Sequence, residues 1–274
     1  MEGQFDYGAI EKAIYDYRPK IVFITRSRGY SDRNALSVED IGACIDFVKS
    51  VDSKAIVFVD NCYGEFVEYL EPTDVGADLI AGSLIKNIGG GLAPSGGYLA
   101  GKQQYVDAAA NRLTAPGIGM EVGSYAYGYQ YFYQGLFMAP HVVANALQSS
   151  VLFGKVFSSI GYDTIPSPDA DCFDIIRSIK FDSEDELVAF IREIQKVSPI
   201  DSNVVPYPWD MPGYQDKVIM AAGTFVGGAS IELSADAPIK EPYIAYLQGA
   251  LTYEHAYIAA EQCLAAVLEA RHED

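Results

Sequence analysis

Basic residues are scarce in this chain: 19 Lys and Arg stand against 37 Asp and Glu, giving a formal net charge of −18. A surface this acidic repels nucleic acid and anionic membranes, so neither is an expected partner. An anionic ligand in a local pocket is still allowed. Cysteine is also sparse. Cys44, Cys62, Cys172 and Cys263 lie far apart and form no CxxC pair, which points to reduced thiols in a reducing compartment. His141, His255 and His272 have no ligand spacing, which argues against a structural metal site. Long hydrophobic runs are missing as well. The longest, such as "AIVFV" and "KIVFIT", are strand-sized and fall short of the ~20 residues of a membrane helix. The opening "MEGQFDYGAIEKAIYDY" is acidic and lacks the basic start and apolar stretch of a signal peptide. The expectation is a soluble, cytoplasmic protein.

Apolar material is ample, since half of the 274 residues are hydrophobic and only 20% are charged. That supports a sizeable core in one large domain or two smaller ones. The first half alternates strands and helices. "DYGAIEKAIYDY" reads as a helix, "PKIVFITRS" as a buried strand, and "SVEDIGACIDFVKSV" as a helix with Ser37 at its N-cap and Asp40 three residues on. "KAIVFVDN" and "ADLIAGS" read as two further strands. Such an alternation implies a parallel sheet covered on both faces. The middle segment, Glu121–Ile160, is aromatic and helical in pattern, with an interruption expected near Pro140. Beyond it the pattern becomes α+β. "CFDIIRSIKF", "NVVPYPW", "KVIMAAG" and "GASIELS" read as strands, "SEDELVAFIREIQKV" as an amphipathic helix with a solvated acidic face, and "TYEHAYIAAEQCLAAVLEAR" as a closing helix. A domain change is placed near residue 150, dividing the chain into 1–150 and 151–274. Three parallel strands are few for so large a sheet, and the chain begins inside the pattern, so a further segment in front is expected.

The stretch "GSLIKNIGGGLAPSGG", Gly82–Gly97, carries the chemistry. Its one lysine, Lys86, could clamp a phosphate, anchor a cofactor covalently or be a solvated loop charge. A Walker A loop needs glycines before the lysine and Ser or Thr after it; here the glycines follow and Asn87 comes next. A dinucleotide fingerprint fails too, because the glycines lie well past the strand end. A lysine that forms a Schiff base sits at a strand end, in a site that lowers its pKa. Pyridoxal phosphate also needs an acid to keep its ring nitrogen protonated. Asp60 closes "AIVFVD" one strand earlier, and Ser83 stands three residues before the lysine. Neighbouring parallel strands place Asp60 and Lys86 on one carboxyl-terminal edge, where α/β sheets bind ligands. The alternative is that Asp60 caps a strand end and Lys86 is surface charge.

"VFVDNCYGEFVEYLEPTDVGADLIAGSLIKNIGGGLAPSGGYLAG", "RSRGY", "YQGLFMAPHVV" and "AAGTFVGGASIELSADAPIKEPYIAYLQGALTYEH" together resemble the aluminium-resistance or methionine γ-lyase-related family of pyridoxal-phosphate proteins, relatives of cystathionine β-lyases. The resemblance covers nearly the whole chain. It implies a fold-type-I, aminotransferase-like α/β large domain, partial in this chain, followed by a smaller α+β domain. Lys86 would carry pyridoxal 5'-phosphate, Asp60 would pair with the ring nitrogen and Ser83 would contact the phosphate. The implied activity is elimination of a thiol from a sulfur-containing amino acid; the alternative is a truncated, non-catalytic homologue acting as a structural or interaction module. Relatives assemble as dimers or tetramers, so a homodimer or homotetramer is expected, with the aromatic middle segment as a contact surface. Relatives also carry a further N-terminal region with the turn that cradles the cofactor phosphate, and no such turn precedes Tyr7 here. Two positions depart from the family pattern. Ile88 stands where proline is usual, and Lys240 where arginine is expected. If that arginine holds the substrate carboxylate, lysine cannot reproduce its two-pronged contact.

Other candidates carry two readings each. Arg26 and Arg28 follow a strand end and either reach cofactor or substrate, or pair with the chain's own carboxylates. Cys62 either packs by the cofactor or serves as a small buried hydrophobe. Tyr63, with Glu65 in the same loop, either meets the substrate or fills structure. His141 at a helix start and His255 read as capping or packing residues.

Overall fold

The computed structural model describes residues 5–271; His272 lies outside them. Helix α1 (Tyr7–Tyr17) starts where the Asp6 carboxylate accepts from Ala9 N at 2.9 Å and ends at Arg18 in the left-handed region. Strand β1 (Ile21–Thr25) leads into α2 (Val38–Val51). The expected cap is present: Ser37 Oγ accepts from Asp40 N at 3.0 Å and donates to Asp40 Oδ2 at 2.7 Å. Strands β2 (Ile56–Asp60) and β3 (Leu79–Ser83) follow, and β4 (Gly97–Gly101) returns antiparallel to β3. The sheet order is β1-β2-β3-β4, with the first three strands parallel. Strand β4 is absent from the sequence reading because its glycines resemble loop. The register pairs Thr25 with Asp60 and Asp60 with Ala81. The loops after β1, β2 and β3 therefore leave from one edge.

Alternation sorts the sheet into two faces. Ile24, Val57, Val59 and Ile80 pack with Ile41, Ile45 and Val48 of α2 and Ile14 of α1. On the opposite face Ile21, Phe23 and Leu99 are 52%, 56% and 41% exposed.

After α3 (Gln103–Leu113) comes α4 (Gln130–Ser159), a single helix of 30 residues with Pro140 inside it. The expected interruption at Pro140 does not occur. A proline removes one ladder hydrogen bond, at a cost of about 3 kcal/mol. Here Ala139, Val142, Val143 and Ala146 bury the helix on both sides of it, which offsets that loss. His141, expected at a helix start, is exposed within the helix. By length and composition alone α4 could cross a membrane, which reading only unbroken apolar runs overlooked; its Phe153 and Phe157 are buried in a protein core. Residue 150 lies inside this helix.

The second sheet is antiparallel throughout, ordered β5 (Asp163–Ile165), β6 (Arg177–Phe181), β9 (Tyr243–Gln248), β8 (Ser234–Pro238) and β7 (Val218–Ala221). Helices α5 (Glu184–Lys196) and α6 (Tyr253–Arg271) pack on it with the C-terminal half of α4, around Phe153, Phe157, Phe181, Phe190 and Leu247. "NVVPYPW" forms only the isolated bridge Trp209–Val218, because its two prolines cannot donate to a ladder. "GASIELS" contributes only its last residue to a strand; β8 begins at Ser234.

Candidate active site

Strand β3 ends at Ser83, the chain turns, and a short 3-10 turn, Asn87–Gly89, begins directly after Lys86. The glycine run has a packing reason. Gly90 sits at φ 56°, and a Cβ on Gly90 or on Gly135 of α4 would collide with the other segment's backbone carbonyl. Glycine on both sides lets the lysine turn lie against the helix backbone.

Lys86 Nζ stands 4.1 Å above the Tyr63 ring centroid, a cation–π contact. Tyr63 itself has φ 71°. That left-handed backbone is unusual for a bulky residue and is a form of strain that collects at functional sites. The Asp60 carboxylate accepts from Cys62 N at 3.1 Å, beside the lysine. Burial pushes the Lys86 pKa down, but Tyr63, Cys62 and Asp60 more than offset it, and the ammonium ends above its ordinary value. The expected lowering is thus reversed in the free amine, because three acidic groups converge on it. Burial pushes the Cys62 thiol up to about 11 against the pull of Lys86. Tyr63 is raised by the same desolvation.

The second sheet closes the site from the other side. Tyr63 Oη donates to Ser230 Oγ at 3.3 Å. Tyr30, in the loop after β1, donates to Asp236 Oδ2 on β8, and Gln248 Nε2 donates to Asp236 Oδ1 at 3.1 Å. Burial raises the Asp236 pKa, while Tyr30, Gln248 and Lys86 pull it back. Tyr30, Ser230, Asp236 and Gln248 have no assigned role in the sequence reading. Tyr30 is 206 residues from Asp236 in the chain, and it is one of 20 tyrosines. The one available signal was an acid among small residues in "SADAP".

The structure thus gathers Asp60, Cys62, Tyr63 and Lys86. Ser83 is half-buried at the end of β3, with its hydroxyl accepting from Ile85 N at 3.4 Å. Three predicted substrate contacts are placed elsewhere. Arg26 is fully buried and donates to Leu36 O, Asn61 Oδ1, Gly64 O and Glu68 Oε2, with Glu71 3.6 Å away. Its hydrogen-bonding capacity is used by the fold. Arg28 is 3% exposed and donates to Ile165 O, Ile176 O and Ser178 Oγ, joining the loop after β1 to the second sheet. Lys240 is more than half exposed and pairs with Asp216 at 3.0 Å, outside the cluster around Lys86. His255 Nε2 lies 2.8 Å from Val197 O, a packing role as expected.

The donor set fits pyridoxal phosphate at its amine and ring. A lysine leaves one strand end, an acid closes the neighbouring strand, and the two strands are paired in parallel. A hydroxyl is present at Ser83 for the phosphate. Comparison with known proteins points the same way. The family model for methionine gamma-lyase matches residues 1–268. The uncharacterized protein YnbB of Bacillus subtilis is 52% identical over 254 residues, which make up 93% of this chain and 60% of YnbB. The crystal structure of a carbon-sulfur lyase involved in aluminum resistance, from Clostridium novyi, is 50% identical with a TM-score of 0.90, covering 97% of this chain and 62% of that one. A methionine gamma lyase from Micromonospora echinospora, 13% identical with a TM-score of 0.61 over 94% of this chain and 66% of its own, shares the fold. The chain spans less than two thirds of the length of each of these three proteins. With 268 residues matched by one family model, and half of the positions identical to those of its relatives, this chain belongs to the methionine gamma-lyase family of pyridoxal-phosphate lyases.

Proposed function

We propose that the chain provides the lysine site of a pyridoxal-phosphate-dependent carbon–sulfur lyase acting on a sulfur-containing amino acid, by the β- or γ-elimination of cystathionine β-lyase or methionine γ-lyase type. The observation that carries this reading is the convergence of Asp60, Cys62 and Tyr63 on Lys86 at one sheet edge. When bound, the cofactor's ring supplies an electron sink for the bond electrons left at the substrate α-carbon. The chain's own residues do the rest. Lys86 Nζ would hold the cofactor and, as a free amine, would move the proton at the substrate α-carbon. Asp60 would keep the ring nitrogen protonated, and Ser83 would offer a hydroxyl to the phosphate. Tyr63 braces the lysine from below, and Cys62 packs beside it. Because the free ammonium is stabilised by its acidic neighbours, loading is favoured by alkaline pH, where more of the amine is unprotonated.

The test is to add pyridoxal phosphate, remove the excess, record the visible spectrum, reduce with borohydride and map the adduct. A visible band with the reduced adduct on Lys86, and loss of both in Lys86→Ala, is the expected result. An adduct that persists in Lys86→Ala overturns the assignment. A chain with no band at all fits the reading of a non-catalytic module instead.

A further inference from the structure

Behind the lysine turn lies a carboxyl group that the proposed chemistry does not use. Glu65 follows Tyr63 by two residues and is 2% exposed. Its Oε1 accepts from Tyr98 Oη of β4 at 2.9 Å, while its Oε2 has no partner. Its backbone carbonyl accepts from Asn87 Nδ2 at 3.0 Å. Asn87 comes directly after Lys86, is fully buried, and has an unpartnered Oδ1. Two orphaned oxygens thus flank the lysine turn. Gly82 of β3 shows how closely the acid is seated: a Cβ there would run into Glu65 Oε1 and the Tyr98 ring.

A buried carboxylate with an unpartnered oxygen is costly, and it can only accept hydrogen bonds. The neutral acid loses the charge and gains a donor. Burial accordingly pushes Glu65 up to about 8. Its own backbone N–H and Tyr98 pull it down, Glu71 pushes it up and Lys86 pulls it down. These are the titratable groups that face it from β4, the loop after β2 and the loop after β3. Arg26 stands one step further away, on Asn61.

We propose that Glu65 is a positioning residue for Lys86: as the neutral acid it supports the lysine turn without adding charge, and as the carboxylate it holds Lys86 in the ammonium form. The proposal deepens the lyase reading and takes Lys86 from it. The sign of the effect follows from the charges. As pH rises and Glu65 ionises, the new negative charge raises the lysine's pKa and delays the appearance of the free amine. Glu65→Gln keeps the shape, stays neutral at every pH, and removes that delay. Tyr98→Phe removes a hydrogen bond that favours the carboxylate, so it moves the Glu65 step to higher pH.

The experiment uses the purified chain without cofactor. Trace labelling of lysines with acetic anhydride, read by mass spectrometry on the Lys86 peptide and normalised to exposed lysines, gives the rise of the free Lys86 amine between pH 7 and 10, in which ionisation of Glu65 appears as an inflection near 8. In Glu65→Gln, Lys86 is expected to label about threefold faster near pH 9, the change for a half-unit shift. In Tyr98→Phe the inflection moves up in pH. Profiles of Glu65→Gln and wild type that superimpose overturn the proposal. If Glu65→Gln loses its helical circular dichroism, Tyr98→Phe decides alone, and an unmoved inflection overturns it. The labelling needs no cofactor. A failure here leaves the borohydride test of Lys86 standing, and a failure there leaves this one standing.

Discussion

Arg26 shows how one residue type serves either chemistry or architecture. Its fully buried guanidinium faces Glu68, Glu71, Asn61 Oδ1 and two backbone carbonyls. Replacing it with methionine removes the cation these acceptors share, and loss of one partner of a buried pair costs about 3–5 kcal/mol. Urea unfolding of Arg26→Met should show that loss as a lower midpoint. Lys240→Ala, on the surface, should stay within about 0.5 kcal/mol of wild type. The difference between the two was only partly legible. "YGEFVEYLEP" displays the acids, but their approach to Arg26 depends on parallel pairing of β1 with β2. The lysine and its acid were legible because each closes or follows a strand, and strand ends can be read from a pattern. Tyr30 and Asp236 were not, because only the seating of the second sheet brings them together. Glu65 adds a pH dependence at this scale. The folded state holds its proton up to about 8, against a reference value of 4.5. The stability it contributes is therefore fully present below 4.5 and is lost as pH rises through 8. Urea unfolding at pH 5, 6.5 and 8 should show wild type losing stability relative to Glu65→Gln, by up to a few kcal/mol.

At the scale of elements, the site depends on how closely the lysine turn approaches α4. Gly135 is a glycine inside a long helix, where alanine ordinarily stabilises by about 1 kcal/mol. Here the added Cβ meets the Gly89 carbonyl, and that backbone cannot give way without shifting Lys86. Gly135→Ala is therefore expected to reverse the usual sign, lowering the thermal midpoint and weakening cofactor trapping together. A raised midpoint with intact trapping would mean that the turn does not rest on this helix. Ser37 is the ordinary case: its cap on α2 is complete, and Ser37→Ala should cost about 1 kcal/mol. The cap was legible because it is local, a hydroxyl followed three residues later by an acid. The continuity of α4 through Pro140 was not, because burial of Ala139, Val142 and Val143 outweighs one missing hydrogen bond, and burial is a property of the assembled core. Strand β4 was lost for a related reason: it lies among glycines that turn signals claim first.

At the scale of the whole molecule, the mostly parallel sheet β1–β4 has, among the described residues, one covered face and one largely exposed. Parallel strands are ordinarily buried on both sides, and α1 and α2 cover only one. The other face presents Ile21 and Phe23 on the edge strand β1 and Leu99 on β4, while Phe23 and Phe58 pack edge to face with ring centroids 5.2 Å apart. A groove lined by Ala81, Leu99, Val106 and Leu113 continues this surface between the sheet and α3. The alternation of strands and helices implied cover on both faces, and the exposure of Ile21, Phe23 and Leu99 corrects that expectation, because which side chains share a face follows from the register. Apolar surface of this kind binds apolar probes and promotes association. The purified chain should therefore enhance the fluorescence of an anilinonaphthalene dye at neutral pH and sediment as more than a monomer at high concentration. The double variant Phe23→Lys, Leu99→Lys places two charges on that face, where both side chains are largely free of the core, so the helical spectrum should persist. Dye binding should fall severalfold and association should weaken. If both are unchanged, the surface that binds dye lies elsewhere, and the exposed tyrosines and Phe137 around the start of α4 become the surface to vary next.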